Sequence, residues 1–321
     1  MKLRFTTCIS MMGLGLCLFL AACAMPPAAA GPLAPAQTPA RTPPSSTPTP
    51  AVYTVSLPAL QAAPLPTPRV LFINGDHTPD NGYPHSRITD NGTKPESFTR
   101  LRREVIESDL KFSADEWILT ANTVISPSLL ASYTAVVLGS NARVLGADEV
   151  KALTNYYNAG GSILIYADFQ FGPTNWASDN RFLNPFGIEV LPDNFQPTVE
   201  ISAIAGERIS ESPILSGVTS IQGEGISQFI VRADSLLDNK ILLACTPSDR
   251  PGCILPEGDR AKVKPGDVVA CVFTRENAQG GRLAGVCDRN PFHNGPGPGT
   301  DLDQASNRVF ARNLFGWLTQ K

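Results

Sequence analysis

The chain has 321 residues with 26 basic and 29 acidic side chains, a near-neutral balance that excludes nucleic acid as a default partner. The charges are segregated: no Asp or Glu precedes residue 69, and only Lys2, Arg4 and Arg41 are basic before that point. A mildly acidic region of about 250 residues, a size that one α/β domain fills, thus follows a nearly uncharged leader.

The leader opens MKLRFTTCISMMGLGLCLFLAACAMPP. Lys2 and Arg4 make a positive start, and Ile9 to Ala22 make an apolar run of export-signal length. The run ends in Leu20-Ala21-Ala22-Cys23, which resembles the lipobox of bacterial lipoproteins. That resemblance implies that residues 1–22 are a removed signal peptide. It also implies that the Cys23 thiol carries a diacylglyceryl group, anchoring an extracytoplasmic domain to a bacterial membrane. An uncleaved transmembrane anchor is the other reading of the same run. Residues 24–68 hold thirteen of the chain's 29 prolines among Ala, Thr and Ser. So few large apolar side chains cannot offset ordering entropy, so residues 23–68 are expected to be a disordered tether reaching at most about 140 Å.

From Arg69 to Lys321 short apolar runs alternate with amphipathic segments. RVLFING (69–75) reads as a buried strand. Thr93-Lys94-Pro95-Glu96 has capping-box spacing and predicts the start of a helix with Phe98, Leu101, Val105 and Ile106 on one face. WILT (117–120) and TAVVLGS (134–140) predict strands. Val150, Leu153 and Tyr157 predict a helix stopped at Gly160-Gly161, and SILIYADF (162–169) predicts the next strand. Apolar strands separated by helices mean a mostly parallel sheet with helices on both faces, an α/β class. The second half is β-rich, with VEISAI (199–204), SQFIVRA, KILLAC and the hairpin VVACVF/RLAGVC. A last helix is predicted from near Asp303 or Gln304, with Phe310, Leu314, Trp317 and Leu318 on its buried face.

Of seven cysteines, Cys8 and Cys17 leave with the signal and Cys23 is lipidated, which leaves Cys245, Cys253, Cys271 and Cys287. Cys271 and Cys287 are equidistant from Gln279 in the hairpin turn, and Cys245 and Cys253 bracket the turn TPSDRPG. Two local disulfides, or four buried thiols, fit this spacing equally.

The string LGSNARVLGADEVKALTNYYNAGGSILIYADF resembles the core of the class I glutamine amidotransferase-like superfamily. NWASDNRFLNPFGIEV, ESPILSGVTSI, GGRLAGVCDRNPF and SNRVFARNLFGWL resemble one branch of it, uncharacterised bacterial domains related to the GIFT-type domains of gliding-motility and intraflagellar-transport proteins. The resemblance implies a flavodoxin-like sheet over residues 69–321 with ligand loops at its carboxyl edge, and for this branch no established catalysis. Amidotransferases of the superfamily carry a Cys nucleophile on the turn after the strand matching SILIYADF, with a later His. Here that turn reads Ala167-Asp168-Phe169-Gln170, and Cys287-Asp288-Arg289 stands where the His is expected. Without a paired thiolate and base the acyl-enzyme route is closed, so no catalytic residue is assigned.

Loops that follow parallel strands gather at the carboxyl edge of the sheet. This edge is expected to bring together Asp76, His77, Asp168, Phe169, Asp288, Phe292 and His293 as a candidate ligand pocket, with Phe171 and Trp176 as further stacking surface. Asp301 and Asp303 are weak candidates for a metal, because no ligand spacing of a known metal motif is present. No cofactor is implied. Three functions fit: a non-catalytic binding or scaffold module for envelope carbohydrate or protein, a hydrolase using Asp168 or Asp288 as general base, and a purely structural part of an envelope complex.

Overall fold

Five strands with nearly continuous apolar faces build the parallel part of the sheet in the computed structural model. They are β1 (Arg69–Gly75), β2 (Ser113–Leu119), β3 (Ala135–Leu138), β4 (Ser162–Tyr166) and β11 (Arg282–Val286). The structure describes residues 67–75, 86–90, 94–139, 143–167, 173–191, 199–202, 210–224, 226–244, 257–295 and 301–320. Contacts divide the chain into two units, Met1–Ala62 and Ala63–Lys321, and every described residue belongs to the second. The leader, Cys23 and the tether up to residue 66 lie outside the described residues. Among those described, no helix is long and apolar enough to cross a membrane.

The strand order is β2-β1-β3-β4-β11, all parallel, and β3, β4 and most of β1 and β11 are buried on both faces. This is why their sequences read as unbroken apolar runs without alternation. β2 is the edge strand, which explains its half-exposed Asp115. Beyond β11 the same sheet continues antiparallel through β10 (Val268–Glu276), β8 (Phe229–Val231) and β5 (Ile188–Val190), and β9 (Asn239–Ala244) also pairs with β10. The β-rich half therefore extends the main sheet, apart from β6 (Val199–Ser202) and β7 (Ser220–Gly223), which form a separate two-stranded ribbon.

Two helices, α2 (Ala147–Asn158) and α3 (Pro173–Leu183), follow the strands on one face. The other face is covered by α5 (Asn307–Thr319) and a π-wound helix, Leu101–Asp109. Phe72 on β1 marks this second face, since its ring lies 6.0 Å from Phe315 of α5 and 6.4 Å from Phe98. Single turns α1 (Pro127–Leu130) and α4 (Glu257–Arg260) complete the set. The architecture is the expected α/β class, with parallel strands from the β2 edge to β11 and helices on both faces.

Two helix starts differ from expectation. The carbonyls of Lys94, Pro95, Glu96 and Ser97 accept from Asn294 Nδ2, Gly295 N, Ser86 N and Asn294 N, so tertiary donors engage the carbonyls that would open a helix. The chain therefore turns through this stretch and winds only after Phe98, and the turn ends with i→i+5 bonds such as Leu110 N to Val105 O. Likewise α5 begins at Asn307 and not near Asp303, because Asp301, Gln304 and Asn307 bond one another in a preceding turn. The stop of α2 is as expected, with Gly160 at φ 96°.

The β10–β11 hairpin has the register the cysteine spacing requires, with Val272 opposite Val286. Asn277 shapes its tip by accepting from Gln279 N and Gly281 N, and its Nδ2 donates to Tyr157 O at the end of α2. A Cβ on Gly281 would stand 2.0 Å from that same carbonyl, so only glycine lets the tip dock there.

Candidate functional site

The carboxyl ends of β1, β3, β4 and β11 lie side by side, and the segments following β1 and β11 are stitched together over them. Asn294, 1 % exposed, does most of the stitching: its Oδ1 accepts from Arg100 N at 2.7 Å, and its Nδ2 and main chain bond Lys94 and Ser97. Arg100 returns a bond to Asn294 O and pairs with Asp303 and Glu104 at 2.8 and 2.7 Å. Asp303 is thus engaged in an ion pair at the surface, and the amide of Asp303 is held by Asp301 Oδ1. Among the described residues no group of three or more His, Cys, Asp or Glu side chains is placed to hold a metal.

Asp288 follows β11 directly and is 1 % exposed. Its Oδ2 accepts from Glu224 N at 2.6 Å and its Oδ1 from Asn290 N at 2.9 Å, while Asn290 Nδ2 donates to Glu224 O. It therefore ties the end of β7 to the turn after β11. A Cβ on Gly223 would fall 2.5 Å from Asp288 Oδ2, so the approach of the two segments depends on that glycine. Burial pushes the Asp288 carboxyl up to about 7, against the opposing pull of the two amides and of Arg289.

Phe292 and His293 sit in the next turn and are also buried, at 0 and 5 % exposure. Phe292 packs against Tyr166, Phe98 and Phe310 at centroid distances of 4.9, 6.1 and 6.0 Å. It is a core residue, so the stacking surface expected of it is turned inward and not toward a ligand. The His293 ring lies 5.7 Å from Phe98. Of the seven residues expected to form a pocket, the structure brings Asp288, Phe292 and His293 together beneath the edge. Asp76, His77, Asp168 and Phe169 lie outside the described residues, as do Phe171 and the side chain of Trp176.

Residues that sequence reasoning passed over stand at the same edge. The registers of β1, β3, β4 and β11 align Ile73, Leu138, Ile165 and Gly285 in one row. One step further along, Asn74, Gly139, Tyr166 and Val286 form the next row, held by Gly139 N to Ile73 O and Ala167 N to Val286 O. By strand alternation Asn74 shares the face of Phe72. Asn74 is fully buried, and its Nδ2 donates to Ser86 O at 3.1 Å and Glu116 Oε1 at 2.9 Å. Glu116 reaches in from the edge strand, pairs with Arg87 at 2.8 Å and also accepts from Ile88 N and Thr89 Oγ1. These bonds fasten residues 86–90 over the end of β1. The strand pattern marked Asn74 as the first polar residue of a buried run, which is the signal that could have found it.

Cys271 and Cys287 face one another across the hairpin, with Cys287 N donating to Cys271 O at 2.8 Å. Both are buried thiols and not a bridge, the second of the two readings their spacing left open; Cys245 and Cys253 lie outside the described residues. Burial, then the neighbouring Cys271 thiol and Asp288, push Cys287 well above the usual thiol range, so it stays protonated and weakly nucleophilic. In α3, Asp179 is 3 % exposed and burial pushes its carboxyl well above the usual range too. Its spacing to Phe182 places it on the core face of the helix, a position legible in the sequence but passed over.

No family model matches the chain, and no curated protein matches it. Among solved structures, the N-terminal domain of mmIFT52 is similar with a TM-score of 0.51 at 16 % identity, over 78 % of this chain and 98 % of that one. A ThuA-like protein from Bacteroides uniformis is similar with a TM-score of 0.45 at 13 % identity, over 81 % and 96 % of the two chains. A cytoplasmic protein from Salmonella typhimurium is similar with a TM-score of 0.46 at 14 % identity, over 78 % and 99 %. At these identities the likeness is one of fold alone, that of an α/β domain.

Proposed function

We propose that the protein is a lipid-anchored, extracytoplasmic binding or scaffold module that works without catalysis, presenting the carboxyl edge of its sheet to envelope carbohydrate or to an envelope protein. The observation that carries this reading is the state of the reactive groups at that edge. Both Asp288 oxygens already accept backbone amides, and Cys287 is buried and protonated. Such groups hold loops in place and have no direct path to a substrate. Among the described residues, the Asp288 carboxyl poised at about 7 favours the hydrolase reading. A general base must reach the proton it removes, and at 1 % exposure Asp288 does not.

The lipobox-like Leu20-Ala21-Ala22-Cys23 supports the anchor. In a bacterial host fed an alkyne-tagged fatty acid, the full chain should be labelled and pellet with membranes, and Cys23→Ala should lose both properties. Labelling that survives Cys23→Ala removes the anchor from the account. For binding, the full chain is screened on a glycan array beside Asp168→Ala, two residues along the sequence from β4. At least one glycan should be retained by the parent and bound several-fold less by the variant. An array without a hit refutes the carbohydrate reading and leaves the protein-scaffold one.

A further inference from the structure

Cys271 and Cys287 are two nucleophilic side chains that the binding reading leaves without a role. They stand opposite one another where the β10–β11 ladder ends, one step beyond the pair Val272 and Val286. Cys287 N donates to Cys271 O at 2.8 Å, and the two thiols are themselves in hydrogen-bonding contact. Opposed residues that share a backbone hydrogen bond lie about 5.5 Å apart at Cα, inside the roughly 4.4–6.8 Å that a disulfide spans. Joining the two sulfurs therefore needs neither a new register nor a new strand spacing.

The position is also a junction. Cys287 O accepts from Ser227 N at 2.9 Å, and the next residue, Asp288, accepts from Glu224 N at 2.6 Å. The strand end that carries Cys287 thus holds the end of β7 and the segment leading into β8.

In the folded sheet the pair is sealed. Cys271 and Cys287 are 0 and 1 % exposed, and burial keeps Cys287 protonated. A thiol in that state neither meets an oxidant nor supplies the thiolate that would attack it.

We propose that Cys271 and Cys287 form a folding-gated redox pair: a dithiol in the reduced protein, closed to a disulfide when the chain folds in contact with a disulfide oxidant, and kept afterwards in the state in which it folded. The proposal rests on the extracytoplasmic reading for its oxidising compartment. The gate follows from chain order. The two cysteines meet through a local hairpin turn, whereas β4, the other neighbour of β11, comes from far earlier in the chain. Local pairing forms first and distant strands close over it, so the thiols are open to reagents early and shut away later.

In the open hairpin one cysteine thiolate attacks the oxidant, a protein or small-molecule disulfide, forming a mixed disulfide and expelling one thiolate. The second cysteine, deprotonated in turn, attacks the protein sulfur of that mixed disulfide and expels the other thiolate. Two protons leave the cysteines, two electrons pass to the oxidant, and one S–S bond replaces another. The bridge cross-links the hairpin at its open end and so restrains the unfolded chain.

The full chain is unfolded in urea with reductant, then refolded either in a glutathione redox buffer or with the reductant kept. Folded reduced chain placed in the same redox buffer is the third sample. Each is quenched with acid, its free thiols are alkylated, and bridges are located by peptide mapping. Oxidative refolding should join Cys271 to Cys287 in most molecules and raise the melting temperature by several degrees over the reduced sample. The folded reduced chain should acquire the bridge at least about tenfold more slowly. Cys287→Ala should abolish both the bridge and the melting shift. Alkylated Cys271 and Cys287 after oxidative refolding overturn the pair, as does a bridge from either to another cysteine. Equal rates in folded and refolding chains overturn the gate. A bridged chain that melts no higher than the reduced one, or a shift that survives Cys287→Ala, overturns the restraint assigned to this bond. In a bacterial host, a chain trapped with both thiols reduced, although the bridge forms on the bench, counts against the extracytoplasmic reading and leaves the redox pair standing.

Discussion

Phe98→Ala is expected to destabilise the protein by about 3–5 kcal/mol, the range for truncating a buried phenylalanine. Phe98 is fully buried and touches four rings: Phe72, Tyr166, Phe292 and His293, at centroid distances of 6.4, 5.7, 6.1 and 5.7 Å. Three of these are edge-on contacts, which add to the value of the buried area. Its amide also donates to Arg87 O, so the residue joins the segment after β1 to the turn after β11. Alanine would leave a cavity at this junction, and the surrounding backbone is tied by Asn294 and Asn74 and can close it only in part. Urea unfolding of parent and variant, with the slope unchanged, gives the difference directly. A loss below about 1 kcal/mol would mean that the ring cluster is not packed as described.

The second large effect is on pH dependence. Burial raises the Asp288 carboxyl to about 7 in the folded chain, against an ordinary value of 3.8. Between those values the folded state holds a proton that the unfolded state has lost, so stability falls as pH rises from about 4 to about 7. The size of this decline is on the order of 4 kcal/mol from this group alone. Asp179, also raised by burial, acts in the same direction. Glu104, Glu149, Asp267 and Asp303 are lowered, so their contributions are lost as pH falls, and they shape the acid side of the same curve. Asp288→Asn isolates the one group. The variant should be less stable than the parent at pH 4, because one amide hydrogen of asparagine must face a backbone N–H of Glu224 or Asn290. That difference should shrink toward pH 7 as the parent loses its proton. Chemical denaturation of both proteins at steps from pH 4 to 8 measures it, and parallel curves would show that Asp288 is ordinary.

Asp288 and Phe292 show how unevenly the site could be read. Asp288 was placed at the end of a strand by simple apolar patterning, and the structure has it there. Its role was not legible, because the amides that engage it belong to Glu224 and Asn290, and the first is 64 residues away in the chain. Phe292 looked like a rim aromatic because it follows a charged turn. It is core because Phe98, from the other end of the chain, closes over it. The first helix start failed for the same reason: capping-box spacing at 93–96 is a local signal, and distant donors from Ser86, Asn294 and Gly295 took the carbonyls.

What the sequence determined by itself is whatever depends on neighbours along the chain. Apolar runs of four to seven residues give buried parallel strands, Gly160 ends α2, and symmetric spacing about Gln279 sets the hairpin register. Tertiary structure alone decided which polar groups meet. Asn74, Gly139 and Tyr166 fall into one row through two strand registers, and Ser86 joins them through a side-chain bond to the main chain. Pairing between strands carries no imprint in local spacing, because each strand's sequence is set by its burial and not by the identity of its neighbour.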